Sequence, residues 1–433
     1  MERFALKKLI TWKNSRNRKP MIIRGARQVG KTWLMKEFGR REFANVAYVN
    51  FDQNTRMKGI FEGDLDIERL ILALSAETGV SIQAEDTLII FDEVQEVPRA
   101  LTSLKCFNEN APEYAIVAAG SLLGVALHEG TSFPVGKVDF LELYPLNYKE
   151  FLCALGEERF ASLLDGDDVS MIAGFKEKYI DRLKQYYYIG GMPEVVNDFV
   201  LNRDFNRVRE IQSSLLNYYQ QDFSKHAPNM LVPRLNMVWN SIPMQLAKEN
   251  KKFIYGQLRE GARAKDFELA IQWLQDCGLI HKVERVSKPG LPLKAYMDLS
   301  AFKIYLLDVG LLCAMGELSA QTLVEGNRIF TEFKGALTEQ YVLQQLISQL
   351  GLHAYYYSSQ RSKGEVDFLI QGSSSIIPIE VKAEENLQAK SLKAFVEKYN
   401  PELAVRTSMS DYREESWLTN IPLYNIDRIV KFI

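Results

Sequence analysis

Two glycines and a lysine–threonine pair near the N-terminus have the spacing of a loop that holds phosphate groups. The stretch Gly25 to Thr32 reads GARQVGKT and fits the pattern GxxxxGK[ST] at every fixed position. Gly25 and Gly30 let the backbone turn its N–H groups toward phosphate oxygens. Lys31 is then expected to reach the β- and γ-phosphates of ATP, and Thr32 to ligate Mg²⁺. The residues predicted to contact ATP here are Gly25, Ala26, Arg27, Gln28, Val29, Gly30, Lys31, Thr32 and Trp33.

An Asp-Glu pair follows a second apolar run. In TLIIFDEVQEVP (Thr87 to Pro98), four apolar residues precede Asp92 and Glu93, as in a buried parallel strand that delivers acids to its carboxyl end. Asp92 is expected to support the Mg²⁺. Glu93 is placed to orient and deprotonate the attacking water, because that base must lie near the metal without ligating it.

A parallel sheet would bring these residues together. Strand-like runs alternate with helical patterns along the first third of the chain; they are Met21–Arg24, Val46–Asp52, Thr87–Asp92, Tyr114–Ser121 and Val138–Leu146. This alternation predicts an α/β domain with a five-stranded, doubly wound sheet and a ligand at the strands' carboxyl ends. Ser121 ends the fourth run and is interpreted either as a sensor of the γ-phosphate or as a helix cap.

A second set of chemistry-bearing residues lies in the last third. The pattern predicts an amphipathic helix over Phe333 to Leu346 carrying Glu339, and a strand over Gly364 to Ile370 carrying Asp367. A further strand, PIEVKA, carries Glu380 and Lys382. The period of two puts the glutamate and the lysine on one face of that strand, which indicates that they act chemically or pair with each other.

The middle of the chain predicts helices followed by a β-hairpin. The motif YYYIGGMPEVV marks a helix stop, and its tyrosines favour a buried helix contact over a base-stacking platform. A helix from Lys265, a strand LIHKVERV, a turn and a strand LKAYMDLS together predict a winged helix. Arg263 and Lys265 would stand at the start of its recognition helix. Acids on the same helix disfavour phosphates, so DNA contact and packing against the ATPase core or a partner protein both remain open.

The N-terminal motifs, with AAGSLL, ELYPLNYKEF and YYYIGGMPEVV, resemble those of prokaryotic AAA-type ATPases, related to archaeal ATPases, that carry a C-terminal domain of unknown function. The resemblance spans essentially the whole chain. It implies the roles given above for Gly30, Lys31, Thr32, Asp92 and Glu93. Many relatives have Gly-Arg before the fifth strand where this chain has Gly136-Lys137. The source of an arginine finger is therefore open, because lysine lacks the planar fork of donors.

The C-terminal quartet resembles the PD-(D/E)xK nuclease superfamily. The resemblance implies that Asp367 and Glu380 bind Mg²⁺ or Mn²⁺ with help from Glu339. Lys382 would orient the water or stabilise the pentavalent phosphate. The alternative is a nuclease fold without turnover, in which Lys382 pairs with Glu380 and the domain only binds.

Composition limits the partners. The chain has 433 residues and a formal net charge of −2, so any attraction to nucleic acid must be local. One local cluster, either a solvated helix face or a DNA contact, comprises Arg3, Lys7, Lys8, Lys13, Arg16, Arg18 and Lys19. Four scattered cysteines and the lack of a long apolar run favour a cytoplasmic protein with no membrane partner.

The sequence thus predicts four parts: a P-loop ATPase domain (1–150), a helical segment (151–230), a winged-helix domain (231–322) and a nuclease-like α/β domain (323–433). The predicted function is ATP hydrolysis whose nucleotide state controls DNA binding or processing by the later parts. A nucleotide-gated regulatory switch that binds DNA or a protein partner, or assembles with copies of itself, is the alternative.

Overall fold

A computed structural model describes residues 2–52, 54–120, 134–248, 251–320, 331–359, 364–384 and 388–433. The chain divides into two compact units. The N-terminal unit comprises residues 2–144 with 276–278, and the C-terminal unit comprises residues 145–275 with 279–433. The four-part division stays a prediction.

The N-terminal unit is built on a parallel sheet. Its strands are β1 (Met21–Arg24), β2 (Asn45–Asn50), β3 (Thr87–Asp92), β4 (Ala115–Ala119) and β5 (Asp139–Glu142). Its helices are α1 (Ala5–Lys13), α2 (Lys31–Glu42), α3 (Thr55–Glu62), α4 (Ile67–Thr78) and α5 (Pro98–Asn110). The strand order is β2-β3-β4-β1-β5, and every pairing is parallel. The predicted five-stranded parallel sheet is therefore confirmed.

The burial of the central strands of this sheet explains why their sequences are apolar. Every residue of β3 and β4 is buried, which is the environment of a parallel strand covered on both faces. One side of the core contains a cluster of Phe51, Phe61 and Phe91, whose ring centroids lie 5.4 to 5.6 Å apart. The rigid centre of the sheet fixes the ends of β1 and β3, where the predicted site residues begin.

The C-terminal unit contains helices and one mixed sheet. The helices are α6 (Tyr148–Ala154), α7 (Glu158–Leu163), α8 (Val169–Gly174), α9 (Lys176–Ile189), α10 (Pro193–Asn202), α11 (Phe205–His226), α12 (Val232–Leu246), α13 (Ala264–Asp276), α14 (Val309–Met315), α15 (Thr331–Ser348) and α16 (Lys390–Tyr399). The strands are β6 (Ile280–Val286), β7 (Met297–Leu306), β8 (Ala354–Ser358), β9 (Glu365–Gln371), β10 (Ile376–Val381), β11 (Val405–Ser408), β12 (Arg413–Glu414) and β13 (Thr419–Pro422). The sheet order is β12-β13-β11-β10-β9-β8-β6-β7.

The hairpin predicted as a wing belongs to this sheet. Strand β6 pairs antiparallel with β7 and also parallel with β8. Its second strand begins at Met297, four positions after the predicted start at Leu293, because residues Leu293–Tyr296 form a 3₁₀ turn. Phe267, Ala270, Ile271 and Leu274 of the preceding helix are buried, as their helical spacing predicted. The winged helix itself stays a prediction.

Helix α15 is not amphipathic, contrary to the sequence-based expectation. Residues 336 to 346 are all buried. Three of its glutamines bond to backbone groups: Gln340 to Leu306, Gln344 to the N–H of Val309, and Gln345 to the N–H of Tyr148. The amphipathic pattern predicted a solvated face, but these polar side chains satisfy buried backbone groups instead.

The tyrosines at the end of α9 lie in the core. Tyr186, Tyr187 and Tyr188 are at most 5% exposed, so the buried helix contact is confirmed over the base-stacking platform. The helix ends at Gly190, whose φ of 74° suits glycine. A Cβ there would lie 2.0 Å from Oδ1 of Asp308, because that carboxylate accepts a hydrogen bond from the N–H of Gly191.

Candidate functional site

The loop between β1 and α2 needs glycine at both ends. Gly25 has a φ of 145°, and a Cβ there would lie 2.1 Å from the carbonyl oxygen of Leu143. Gly30, immediately before α2, has a φ of 93°. Both conformations are disfavoured for residues with a Cβ. The loop also places Gln28 at a φ of 64°, so it is bent into a concave turn where phosphate-binding loops receive their ligand.

Lys31 lies folded across this loop. Its Nζ donates to the carbonyl oxygens of Gly25 (2.8 Å) and Ala26 (2.7 Å), and the residue is only 7% exposed. Burial lowers the pKa of Lys31 to about 8, although Glu93 and Asp92 act in the opposite direction. The ammonium group is therefore preorganised inside the loop, with neutral carbonyls as its hydrogen-bond partners.

Thr32 and Asp92 meet at the carboxyl ends of β1 and β3. The Thr32 hydroxyl donates to Oδ2 of Asp92 at 2.7 Å. Tyr48 on β2 donates to the same oxygen at 3.0 Å, and burial, followed by Asp92, raises the pKa of Tyr48 to about 12. Asp92 is 3% exposed. Two hydroxyls thus fix this buried carboxylate, and a hydroxyl–carboxylate pair is a donor set that suits Mg²⁺.

Glu93 follows β3 in an unusual backbone conformation. Its φ is 51°, in the left-handed region that costs energy for a residue with a Cβ and that is concentrated at functional sites. Its N–H donates to Oδ1 of Asp92 at 3.1 Å, and its Oε2 accepts a hydrogen bond from Gln95 at 2.7 Å. Gln95 thus helps to orient the carboxylate, which lies next to Asp92 where a general base is needed.

An arginine near the N-terminus also supports the loop. Arg3 is 4% exposed; its Nη1 donates to the carbonyl of Val29 at 2.9 Å and its Nη2 to the carbonyl of Tyr144 at 2.6 Å. The sequence placed Arg3 in the basic cluster, as part of a solvated helix face or a DNA contact, but the side chain is buried and supports the loop instead. The role of Tyr48 was not identified, although its strand-like run was.

The remaining loop residues differ in exposure. Ala26 and Val29 are buried, Arg27 is half-buried, and Trp33 is 41% exposed on the first turn of α2. Ser121 lies outside the described residues. Lys137 pairs with Glu109 at 2.9 Å; it precedes β5 and therefore lies at the edge of the sheet opposite the phosphate loop.

In the C-terminal unit, Glu339 is enclosed by donors. Its Oε1 pairs with Nζ of Lys251 at 2.6 Å, and its Oε2 accepts from Tyr305 at 2.9 Å. Lys303, which is fully buried, lies 3.8 Å from Oε2 and 2.5 Å from a carboxylate oxygen of Glu365. Burial opposes ionisation of Glu339, but Lys251 and Lys303 outweigh it and hold the pKa of the carboxyl below its ordinary value.

Asp367 and Glu380 lie next to this pair. Strands β9 and β10 are antiparallel with Phe368 opposite Ile379, so one further step places Asp367 opposite Glu380. Oδ2 of Asp367 accepts from the N–H of Val381 at 2.8 Å. Lys382 donates to Oε1 of Glu380 at 2.7 Å, so the predicted same-face pair is formed.

The two carboxyls have perturbed ionisation. Burial, with Glu339 and Glu380 adding to it, raises the pKa of Asp367 well above its ordinary value. Burial also raises the pKa of Glu380, against the opposing effect of Lys382. Oε2 of Glu380 is buried without a hydrogen-bond partner in the described part of the chain. The structure thus brings the predicted quartet together, along with Lys251, Lys303, Tyr305 and Glu365, which sequence reasoning missed.

This donor set does not fit a metal as it stands. Across the described ranges, no group of three or more histidine, cysteine, aspartate or glutamate side chains is arranged to hold a metal ion. Both oxygens of Glu339 already bind protein donors. The metal roles of Glu339, Asp367 and Glu380 stay predictions.

Three family comparisons match separate parts of the chain. Residues 17–152 match an AAA domain. This part of the chain is an AAA-type P-loop ATPase domain. The predicted enzyme class, an ATPase, is therefore confirmed, and such domains bind nucleotide, typically with Mg²⁺. Residues 180–322 and 334–426 match two domains of unknown function, DUF8612 and DUF4143.

The chain is only distantly similar to the solved structures that it matches. The Walker-type ATPase of Pyrococcus abyssi is 14% identical, over 73% of this chain and 95% of that one, with a TM-score of 0.46. The Aeropyrum pernix ORC1 protein, solved in complex with DNA, is 14% identical over 72% and 90%, with a TM-score of 0.27. The Thermotoga maritima RuvB Holliday junction branch migration motor is 13% identical over 65% and 89%, with a TM-score of 0.28.

All three TM-scores lie below 0.5, so these structural similarities do not indicate a function. No curated protein matches the chain. Within the described residues, no helix is both long and apolar enough to cross a membrane.

Proposed function

We propose that the protein is an ATP-hydrolysing switch whose N-terminal site performs the chemistry and whose C-terminal unit binds a partner without cleaving it. The proposal of ATP hydrolysis at the N-terminal site rests on the hydrogen bond of 2.7 Å between Thr32 and Asp92. Thr32 lies in the first turn of α2 and Asp92 ends β3, and Lys31 and Glu93 lie next to them in the chain. They would hold Mg²⁺, which when bound neutralises phosphate charge.

Lys31 and Glu93 have different roles: the lysine binds phosphate and the glutamate acts as the base. Lys31 exchanges the carbonyls of Gly25 and Ala26 for phosphate oxygens, and the gain from pairing a buried ammonium with an anion favours that exchange. Glu93, held by Gln95, orients the attacking water and accepts its proton. Tyr48 and Arg3 are positioning residues for Asp92 and for the loop.

The buried ion pairs of Glu339 support the second half. Lys251 and Lys303 satisfy this carboxylate with opposite charge, and Lys382 does the same for Glu380. A metal would have to compete with these lysines for the carboxylates, and breaking a buried pair costs several kcal/mol by order of magnitude. We therefore interpret the quartet as a structural network in a binding unit that responds to nucleotide state.

Metal-dependent cleavage of DNA at Asp367, Glu380 and Lys382 is the second candidate. Two observations favour it: the raised pKa of Asp367 and the buried, unpartnered Oε2 of Glu380. Perturbed carboxyls of this kind occur at catalytic sites as well as in structural networks. Mg²⁺ or Mn²⁺ would be the cation suited to these oxygens.

Steady-state ATP hydrolysis by purified protein tests the first half. We expect Lys31→Ala to lose activity, while Lys382→Ala, the matched lysine of the other cluster, keeps the wild-type rate. Equal loss in both variants, with both folded by circular dichroism, would overturn the assignment of hydrolysis to the N-terminal site.

A further inference from the structure

A cavity lined by cations lies at the amino-terminal edge of the ATPase sheet. Its volume is about 600 Å³, and its lining includes Arg16, Arg18, Lys19, Asn108 and Glu113. The three cations precede β1, and the other two residues precede β4. Because β1 and β4 are parallel, the cavity lies at the edge of the sheet opposite the phosphate loop, which follows β1.

Backbone carbonyls hold two of these cations in place. Nη2 of Arg18 donates to the carbonyl of Glu113 at 2.8 Å, and Nη1 donates to that of Lys13 at 3.3 Å. Nζ of Lys19 donates to the carbonyl of Gly136 at 2.9 Å. Such bonds fix the direction of the side chains and leave their positive charge uncompensated.

The acids nearby do not neutralise this charge. In the described parts of the chain, Arg16, Arg18 and Lys19 form no ion pair with a carboxylate. The lining includes one acid, Glu113. Of the neighbouring acids, Glu109 is paired with Lys137, and Asp139 accepts from the backbone N–H of Lys19 at 3.4 Å. Burial lowers the pKa of Arg18, as expected for a desolvated cation without a counter-charge. An anion in the cavity would supply that counter-charge.

We propose that this cavity binds the phosphate backbone of a nucleic acid. Lys7 and Lys8 are exposed on α1, the helix that ends at Lys13 shortly before the cavity residues, so the chain segment that leads to the cavity carries further cations. A spread of unpaired cations suits a polyanion, whose affinity comes from several phosphate contacts. With a net charge of −2 for the whole chain, such binding depends on this local cluster. The inference does not rest on the switch proposed above.

The phosphate loop and the cavity occupy opposite edges of one sheet, so ATP and nucleic acid bind at the same time without competing. ATP hydrolysis does not require the cavity residues.

Fluorescence anisotropy of a labelled DNA duplex, titrated with the full chain at several salt concentrations, tests the proposal. The variant Arg16→Gln/Arg18→Gln/Lys19→Gln removes three cavity cations. The control Arg263→Gln/Lys265→Gln/Lys294→Gln removes three cations at the predicted winged helix. We expect the cavity variant to lower the slope of log affinity against log salt by about three, one for each lost phosphate contact, and the control to keep the wild-type slope.

Several results would overturn the proposal: no DNA binding by the wild-type protein, an unchanged slope in the cavity variant, loss of binding only in the control variant, or competition by polyglutamate as effective as by unlabelled DNA. Retained ATP hydrolysis in both variants shows that they are folded and keeps this result separate from the switch proposal. If the triple variant does not fold, Arg16→Gln alone, at an exposed position, is expected to lower the slope by about one.

Discussion

The protein has two clusters of carboxylates, one in each compact unit, and the clusters differ in the hydrogen-bond donors that their carboxylates accept from. Asp92 and Glu93 accept hydrogen bonds from hydroxyl, amide and backbone N–H groups. Glu339 and Glu380 accept from ammonium groups, and Glu339 accepts also from the hydroxyl of Tyr305. Neutral donors can be replaced by a cation at modest cost, whereas separating a buried ion pair leaves an uncompensated charge. Under the proposed function, the first cluster performs the chemistry and the second is structural.

The largest effect is expected from the base in the N-terminal site. Glu93→Gln keeps the size of the side chain and removes its ability to accept a proton, so we expect ATP hydrolysis to fall by about a hundredfold or more. Nucleotide binding, measured by calorimetry, should persist. The matched change Glu380→Gln should leave hydrolysis unchanged. Full hydrolytic activity in Glu93→Gln would remove Glu93 from the mechanism.

The next largest effect is expected on the stability of the fold, when the ion pairs of the C-terminal carboxylate cluster lose a buried lysine. Lys303→Met deletes the buried ammonium between Glu339 and Glu365, and we expect the free energy of unfolding to drop by about 3–5 kcal/mol. Urea denaturation measures this change. Adding Glu339→Gln and Glu365→Gln should restore part of the loss, because the stranded charges are then removed. A single variant as stable as the wild type would show that the lysine is not an essential counter-charge.

A smaller effect is expected in the backbone of the phosphate loop. Gly25→Ala places a Cβ 2.1 Å from the carbonyl of Leu143 at a φ of 145°, so we expect ATP binding to weaken by about 2 kcal/mol. Gly59→Ala is the matched control, since a Cβ there meets nothing within 4 Å. Calorimetric ATP affinities compare the two. Equal affinities would contradict the view that the Gly25 turn forms the site.

The smallest effect is a pH dependence of ATP affinity. Lys31 has a pKa lowered to about 8, and phosphate oxygens favour its protonated form. Below that pH the lysine is already charged and affinity is level; above it, binding must take up a proton and affinity falls by up to about tenfold per pH unit. ATP titrations between pH 7 and 9 measure the trend. In Lys31→Arg the slope should flatten, and an affinity that rises with pH in the wild type would be inconsistent with this linkage.

The comparison also shows where sequence reasoning succeeds. The phosphate loop and the Asp92 strand are local patterns, so their residues, their elements and the parallel sheet were all predictable. Contacts between distant segments were not. Lys251 and Lys303 reach Glu339 from more than thirty residues away in the chain, and no spacing rule links them. The prediction that α15 is amphipathic was wrong for the same reason, because its buried glutamines bond to backbone groups of distant elements.

One measurement tests the central contrast most directly: cleavage of linear and single-stranded DNA by the purified protein with Mg²⁺ or Mn²⁺ and ATP, beside Asp367→Ala and Lys31→Ala. The account predicts ATP hydrolysis that depends on Lys31, and no DNA cleavage above the level of the Asp367→Ala variant. Cleavage that disappears in Asp367→Ala would contradict it and make the C-terminal carboxylates a second active site.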